Sequence, residues 1–408
     1  LSDKTMRTTC NCSLFNGCAQ NVMEIPSGTR CWCSGRDSAM KLRCKVIASK
    51  RDKAQKYTYY VHYDGVDRRM DQWVNRSLIS FENKDESKPE RVERERFELQ
   101  ADEESAQSEE SDGFIKNISR IVIGSYEMEC WYFSPLPREF WNNGTVFFCE
   151  FCLSYFIHEN ELDRHQQRCL LYHPPGNEIY RSSEQNCTIS VFEIDGEKEI
   201  IYTQNLCYMA KLFLDHKTVH FDTQCFLFYI LCTIDETGCH FVGYFSKEKK
   251  SEENYNLACI LTLPVHQKIG VGRFLISLSY ELSKMENKIG SPEKPLSDLG
   301  QMSYDKYHAQ MIVKYLMDLN DGSVISVYEL SKILFFSEED IVKALLKYEI
   351  HIPRPSSCED FLAISEKFYR KLFPEPRRDP HSLSIRPCIR EFLHWTPYNY
   401  DQRNCVDK

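Results

Sequence analysis

The stretch CEFCLSYFIHENELDRHQQRC places Cys149 and Cys152 two residues apart, then twelve residues, then His165 and Cys169 at i, i+4. A Cys-x-x-Cys pair forms a knuckle on which two thiolates converge, and one helix turn stacks the second pair on a single face, completing a tetrahedral zinc site. Four protein ligands leave no open coordination position, so such a zinc holds structure and does no catalysis. Cys10, Cys12, Cys18, Cys31 and Cys33 lack clean ligand spacing and stay unassigned.

A second chemistry-bearing stretch is CILTLPVHQKIGVGRFLISLSYELS, Cys259 to Ser283. It starts as an apolar run, breaks at Pro264, passes Gly270 and Gly272, and resumes with helical periodicity. Strand, glycine-bearing loop and helix point unpaired backbone N–H groups and the positive end of a helix dipole at an anion, a phosphate above all. The loop lacks the Lys-Ser/Thr ending of a triphosphate loop and the third glycine of a dinucleotide fingerprint. A third stretch, GSPEKPLSDLG from Gly290 to Gly300, fixes a stiff loop with two prolines and presents Glu293, Lys294, Ser297 and Asp298. Its Glu293 suits a general base; alone, it equally suits a helix-capping acid.

These stretches need a scaffold, and 408 residues with 42% hydrophobic and 13% aromatic content are enough for two or three domains with buried cores. No apolar run reaches membrane-spanning length, and the first residues lack the basic-then-apolar order of a signal peptide, which predicts an intracellular protein with no membrane partner. The 19 cysteines, scattered through apolar segments such as those around Cys225, Cys232 and Cys259, suggest buried thiols plus a metal site in a reducing compartment. The net charge of -9 is unevenly spread. Between Glu82 and Asp112 stand 13 acidic and 5 basic residues, a composition that predicts a disordered linker. Residues 26–80 carry 12 Lys/Arg against 5 Asp, so that module can face a polyanion.

Residues 41–80 read as short strands around the turn Asp64-Gly65, a small β-barrel or sheet. Its Tyr57, Tyr59, Tyr60, Tyr63 and Trp73 fit core packing, an aromatic cage for a methylated lysine, or RNA stacking. Beyond the linker, RIVIGSYEMECWYFSPLP predicts strands, and CTISVFEIDGEKEIIYT predicts a hairpin turning at Asp195-Gly196. QNLCYMAKLFL predicts a helix, and CFLFYILCTIDETGCHFVGYFS a second hairpin. The whole is an α+β fold with its ligand loop at a strand's carboxyl end. SVYELSKILFFSEEDIVKALLKY carries two capping boxes, Ser326 with Glu329 and Ser337 with Asp340, at helix-turn-helix spacing. Only Lys343 and Lys347 on the second helix could face DNA, which favours a structural or substrate-flanking lobe.

The segments LCYMAKLFLDHKTVHFD, LTLPVHQKIGVGRFL and NKIGSPEKPLSDLG, in this order behind the cysteine and histidine cluster and HPPGNEIYR, resemble the MYST family of histone lysine acetyltransferases. The resemblance runs from Arg120 to Trp395, and YYVHYDGVDRRMDQWV resembles the chromo barrel of one subgroup. It implies an acyltransferase core of the GNAT-like type with a zinc finger and a C-terminal helix-turn-helix lobe, preceded by the barrel. The implied layout is a tail over 1–25, the chromo barrel over 26–80, the acidic linker over 81–113 and the acetyltransferase domain over 114–400. Within the last lie the finger (147–172), the acetyl-coenzyme A core (187–300) and the helical lobe (301–350).

By the same resemblance, Gln267, Lys268, Ile269, Gly270, Val271, Gly272 and Arg273 bind the pyrophosphate of acetyl-coenzyme A. Ile260, Leu261 and Thr262 line its acetyl-pantetheine arm, and Ser297 and Lys306 adjoin the cofactor. Glu293 is the implied general base, Cys259 an acyl carrier or a core residue, and Lys211 a self-acetylated lysine. Lys268, Val271, His266 and Lys306 depart from the residues usual in the family. The resemblance implies histone tails and nucleosomes as substrates, histone H4 among them, subunits of a chromatin-modifying complex as partners, and a nuclear role in transcription regulation and DNA repair. RNA or nucleosomal DNA contact would fall to the barrel. Two other classes compete. A chromatin scaffold with a dead catalytic domain would lack Glu293 or the two glycines, and a zinc-finger transcription factor would need more basic residues than Arg164 and Arg168 on its finger helix.

Overall fold

Alternating aromatic and β-branched residues build the first of two compact units into which the chain divides after Ile115. The computed structural model describes residues 24–34, 41–51, 56–81, 115–141, 144–184, 187–215, 222–320, 323–352, 361–362, 364, 366–373 and 384–398. The expected tail, with Cys10, Cys12 and Cys18, and the expected acidic linker lie outside the described residues, save residues 24–25 and 81.

Strands β1 (Arg30–Ser34), β2 (Lys41–Arg51), β3 (Tyr57–Tyr63), β4 (Gln72–Asn75) and β5 (Ile79–Ser80) pair antiparallel in the order β4-β3-β2-β1-β5. Successive side chains point to opposite faces, and Cys31, Cys33, Cys44, Val46, Tyr59, Val61 and Tyr63 fill one core. Tyr60 lies directly across from Trp73, ring centroids 5.4 Å apart. The Lys50 ammonium stands 4.2 Å from the Trp73 ring centre and the Arg51 guanidinium 5.2 Å from that of Tyr57. Three of the five aromatics are therefore buried, and the other two already carry a cation of their own chain.

The second unit begins with a small sheet of β6 (Arg120–Ile123), β7 (Tyr126–Glu129), β8 (Thr145–Phe148) and β9 (Tyr155–Phe156), followed by helix α1 (Glu159–Gln166). Its main sheet has the order β10-β11-β12-β13-β15, from β10 (Asn177–Glu184), β11 (Cys187–Asp195), β12 (Phe226–Asp235), β13 (Gly238–Glu248) and β15 (Ile260–Thr262). Strand β12 reads FLFYILC without polar alternation because both faces of the sheet are covered. Phe228, Ile230 and Cys232 pack with Leu206 and Met209 of α2 (Ile200–Lys211) and with Ile121 and Phe148 of the small sheet. Leu227, Tyr229 and Leu231 pack with Phe274, Leu278 and Leu282 of α3 (Val271–Glu286) and Ile312 of α4 (Asp298–Met317). This is the α+β architecture expected.

One expected hairpin is not there. EIIYT, which follows Asp195-Gly196, opens helix α2 instead of forming a strand, and β11 pairs with the preceding strand β10 and with β12. Tyr202, Leu206, Met209 and Ala210 recur at helical spacing and are buried, a stronger signal than the β-branched run at its start. A Cβ on Gly196 would stand 2.0 Å from the Thr223 carbonyl oxygen, so the chain turns tightly there into the helix.

The helical lobe contains α5 (Val327–Leu334) and α6 (Glu338–Lys347). Ser326 and Glu329 form the full capping box. At the second start, the Ser337 hydroxyl accepts the Asp340 N–H, but the Asp340 carboxylate takes hydroxyl protons in place of the Ser337 N–H. Lys347 sits 2.5 Å from buried Asp305 of α4, with Lys343 at 4.0 Å. The two lysines that a groove-reading helix would need thus hold α6 on α4. No helix of the described residues is long and apolar enough to cross a membrane. Their cysteines are all free thiols, and Cys225, expected in the core, is exposed.

Candidate functional site

Cys149 directly follows β8, in a tight turn in which Leu153 takes φ 58° and donates its N–H to the Cys149 carbonyl. That turn brings Cys152 back beside Cys149. Helix α1 carries His165 but ends at Gln166, so Cys169 lies past the helix and not on its face. Its N–H still reaches the His165 carbonyl at 2.8 Å, which preserves the i, i+4 approach. The four ligand atoms of Cys149, Cys152, His165 and Cys169 all lie within 4.8 Å of one another, with Cys149 Sγ 3.9 Å from Cys169 Sγ. A tetrahedral zinc with Zn–S of ~2.3 Å separates its sulfurs by roughly 3.8 Å, so the donor set fits the ion. The Cys149 hydrogen bond pulls the Cys152 thiol down to about 4, while Cys149 itself is raised.

The glycine turn is built between β15 and α3. Gly270 is the N-cap of α3 at φ 102°, and without a side chain it accepts none of the first-turn N–H groups. Phe274 makes the first bond back to the Gly270 carbonyl, leaving the amides of Val271, Gly272 and Arg273 ahead of the helical ladder. Lys268, at φ 66°, is exposed, and neither it nor exposed Arg273 has a carboxylate partner among the described residues. Open amides, a helix N-terminus and two unpaired cations suit a pyrophosphate.

The two glycines have different reasons. A Cβ on Gly270 would meet the Ile385 carbonyl oxygen at 2.1 Å, and the Ile385 N–H donates to the Ile269 carbonyl at 2.7 Å. Chain packing therefore demands Gly270 whether or not a ligand is bound. A Cβ on Gly272 would find only Thr262 Oγ1, at 3.6 Å, an ordinary contact. Nothing among the described residues requires glycine at 272, and its bare Cα leaves room for an approaching group.

The remaining expected cofactor residues divide by orientation. Leu261 and Val271 are buried in the two cores, so only their backbones can face a ligand. Ile260 and Thr262 are half-buried on β15, whose outer edge has no paired strand among the described residues. Gln267 Nε2 donates to the Thr262 carbonyl at 3.5 Å. Ser297 caps α4, its hydroxyl accepting the Gly300 N–H at 3.2 Å, and Lys306 is exposed on the same helix.

Strand β14 (Tyr255–Leu257) departs from β15 at Ala258–Cys259 and pairs parallel with β16 (Ser291–Pro292). This pairing carries Glu293 to the Cys259 end: the Glu293 N–H donates to the Leu257 carbonyl at 2.8 Å, and the Glu293 side chain is exposed. Ser246 of β13 spans the departure. Its carbonyl accepts the Ala258 N–H, its N–H donates to the Cys259 carbonyl, and its hydroxyl accepts the Cys259 N–H at 3.2 Å. Sequence spacing gave no hint of Ser246 or Ile385, because each acts on residues more than ten positions away.

His266 is buried edge-on against Tyr126, and burial lowers its basicity. His308 is pushed down to about 4 by burial, its Nε2 2.8 Å from the Tyr280 hydroxyl. Lys211 ends α2 and donates to the carbonyls of Leu214 and Asp215 at 3.1 and 2.6 Å.

Residues 173–387 match the MOZ/SAS family, residues 115–169 the MYST family zinc finger domain, and residues 25–81 the RNA binding activity-knot of a chromodomain. The chain is 45% identical over 351 residues to histone acetyltransferase of the MYST family 1 of Arabidopsis thaliana, covering 81% of this chain and 77% of the relative. It is 37% identical over 417 residues to histone acetyltransferase ESA1 of Eremothecium gossypii, covering 90% and 93%. With histone acetyltransferase mst1 of Schizosaccharomyces pombe it shares 51% identity over 231 residues, covering 57% and 49%.

Two outcomes follow. Zinc chelation, or Cys152→Ser, should release one zinc per chain and lower the thermal midpoint of the second unit, as metal analysis and calorimetry would record; active protein without zinc would contradict this. Gly272→Glu should fold with a normal thermal midpoint yet bind no acetyl-coenzyme A by titration calorimetry. Gly270→Ala should instead lose stability by more than about 1 kcal/mol, since its left-handed backbone and the Ile385 carbonyl both exclude a Cβ.

Proposed function

The chain belongs to the MYST (MOZ/SAS) family, and from that premise we propose that it is an acetyltransferase that moves acetyl from acetyl-coenzyme A to the ε-amine of histone-tail lysines, histone H4 foremost. The observation that carries this reading is the line from the glycine turn along the open edge of β15 to Cys259, where β14 and β16 deliver Glu293. Bound there, acetyl-coenzyme A supplies an acyl group on a thiolate leaving group. The amides of residues 271–273, with Lys268 and Arg273, hold the phosphates, and Ile260 and Thr262 flank the arm.

A lysine amine has a reference pKa of ~10.4, so baring its lone pair at pH 7 costs roughly 4.6 kcal/mol. Glu293 accepts that proton, directly or through one water, and its exposure lets the proton leave to solvent. The amine then forms the new N–C bond as the C–S bond breaks, and the second proton that the nitrogen sheds goes to the departing thiolate, which leaves as the coenzyme A thiol. The Cys259 N–H, already bonded to Ser246, holds the strand departure in place; it is not an open donor for the thioester carbonyl. His266 and His308 are buried on Tyr126 and Tyr280, which leaves Glu293 as the better-placed base. Cys259, half-buried, serves as wall and not as acyl carrier.

The wider setting follows the family. The protein acts in the nucleus, with subunits of a chromatin-modifying complex, in transcription and repair. Its basic barrel contacts RNA or nucleosomal DNA. Lys211 is the self-acetylated residue; acetylation would leave one N–H for the two carbonyls it now serves.

Glu293→Gln should lose most turnover on histone peptide at pH 7 and regain part of it as pH rises and the amine deprotonates unaided, read from kcat against pH. Cys259→Ser should keep substantial activity with both substrates present; ping-pong kinetics together with an inactive Cys259→Ser that still binds acetyl-coenzyme A would favour the covalent route. Deleting residues 1–80 should weaken activity on nucleosomes more than on free peptide. Equal losses on both would make the barrel a stabilising module alone.

A further inference from the structure

The loop that bears Glu293 is tied to the helical lobe as well as to the sheet. Gly290 donates its N–H to the Phe335 carbonyl at 3.2 Å and bridges in parallel to Phe336, in the turn between α5 and α6. Ser291 donates its hydroxyl proton to Asp340 Oδ2 at 2.7 Å, and Ser337 donates to the same oxygen at 2.8 Å. Asp340 is 7% exposed, and its own N–H is held by the Ser337 hydroxyl at 3.1 Å. One residue past the base, Lys294 reaches Glu339 at 2.8 Å across an exposed surface.

These contacts differ in weight. The Lys294–Glu339 pair is solvent-exposed on both sides and adds little. The Ser291–Asp340 bond is a charge-assisted hydrogen bond to a buried carboxylate fixed on a helix start, which makes it short and directional. Ser291 is at the same time the residue of β16 that pairs with Tyr255. Ser291, two residues before Glu293, is thereby clamped from both sides, by β14 through its backbone pairing and by α6 through its side chain.

We infer that Asp340, acting through Ser291, is a positioning residue for the general base: it sets where the Glu293 carboxylate stands relative to the Cys259 end of β15. The inference rests on the assignment of Glu293 as base. It gives the helical lobe a task that the DNA-reading alternative did not contain. The second apparent capping box is a cap whose acid has been turned toward the catalytic loop. A base misplaced by about an ångström loses rate while the remote phosphate contacts, and with them cofactor affinity, are untouched.

The test is steady-state kinetics on a histone peptide with acetyl-coenzyme A, for the full chain and its variants. Ser291→Ala removes the tether hydroxyl and leaves the cap of α6 whole. It should lower kcat at pH 7 on the order of tenfold, with KM for acetyl-coenzyme A unchanged. The deficit should shrink as pH rises and the amine needs less help. In a Glu293→Gln background, Ser291→Ala should add no further loss, because the group it positions is already gone. Asp340→Asn, which keeps an acceptor oxygen for both serines, should fall by a smaller factor than Asp340→Ala and gives a second reading should either alanine variant misfold. Wild-type kcat in Ser291→Ala would overturn the inference. So would a deficit independent of pH, or one of equal size with and without the Glu293 carboxylate. The two assignments fail separately: full turnover by Glu293→Gln removes the base itself, whereas an impaired Glu293→Gln beside a normal Ser291→Ala removes only the tether.

Discussion

Burial of both faces of one antiparallel sheet is the constraint on which the second unit depends. Strands β12 and β13 sit in the middle of three layers and are covered on both faces, so the polar residues buried in β13, Ser246 and Lys247, are each partnered inside the fold. One face needs α2 and the finger sheet, the other needs α3 and α4. Zinc binding, the glycine turn and the loop of Glu293 are attached to those covering layers, and of the sheet only edge strand β15 and Ser246 of β13 take part in the candidate site.

At that rim the site depends on a strand that stops being a strand. The departure of β14 from β15 at Ala258–Cys259 opens the sheet between two short pieces, and Ser246 satisfies the backbone groups so exposed. A buried N–H left without a partner costs about 1–3 kcal/mol, and the Ser246 hydroxyl supplies the partner for the half-buried Cys259 N–H. Through the parallel pairing that follows, Glu293, 34 positions after Cys259, is bonded to Leu257, two residues before it.

Much of this was legible in the sequence where signals are local. The cysteine and histidine spacing, the second apolar hairpin, the strand, glycine turn and helix at residues 260–286, and the Ser326 cap each follow from neighbours a few residues apart. The misread segment, EIIYT, failed because three β-branched residues outweighed a helical period that only becomes clear over Tyr202 to Ala210. The candidate site was proposed as a set of stretches from their likeness to a family. What joins them was not: Ile385 over Gly270, Ser246 under Cys259 and Asp340 behind Ser291 are contacts at long separation, and no periodicity encodes them.

The backbone of Ile385 over Gly270 has a consequence for how the molecule is made. The turn that would receive phosphates lies at residues 268–273, yet the piece that completes its outer wall comes over a hundred residues later in the chain. A polypeptide leaving the ribosome can close its finger and lay down its sheet long before that segment emerges. That turn is therefore finished late in synthesis, and a chain that stops after the helical lobe would keep its cysteine and histidine cluster and most of its core while lacking the backbone that packs over Gly270.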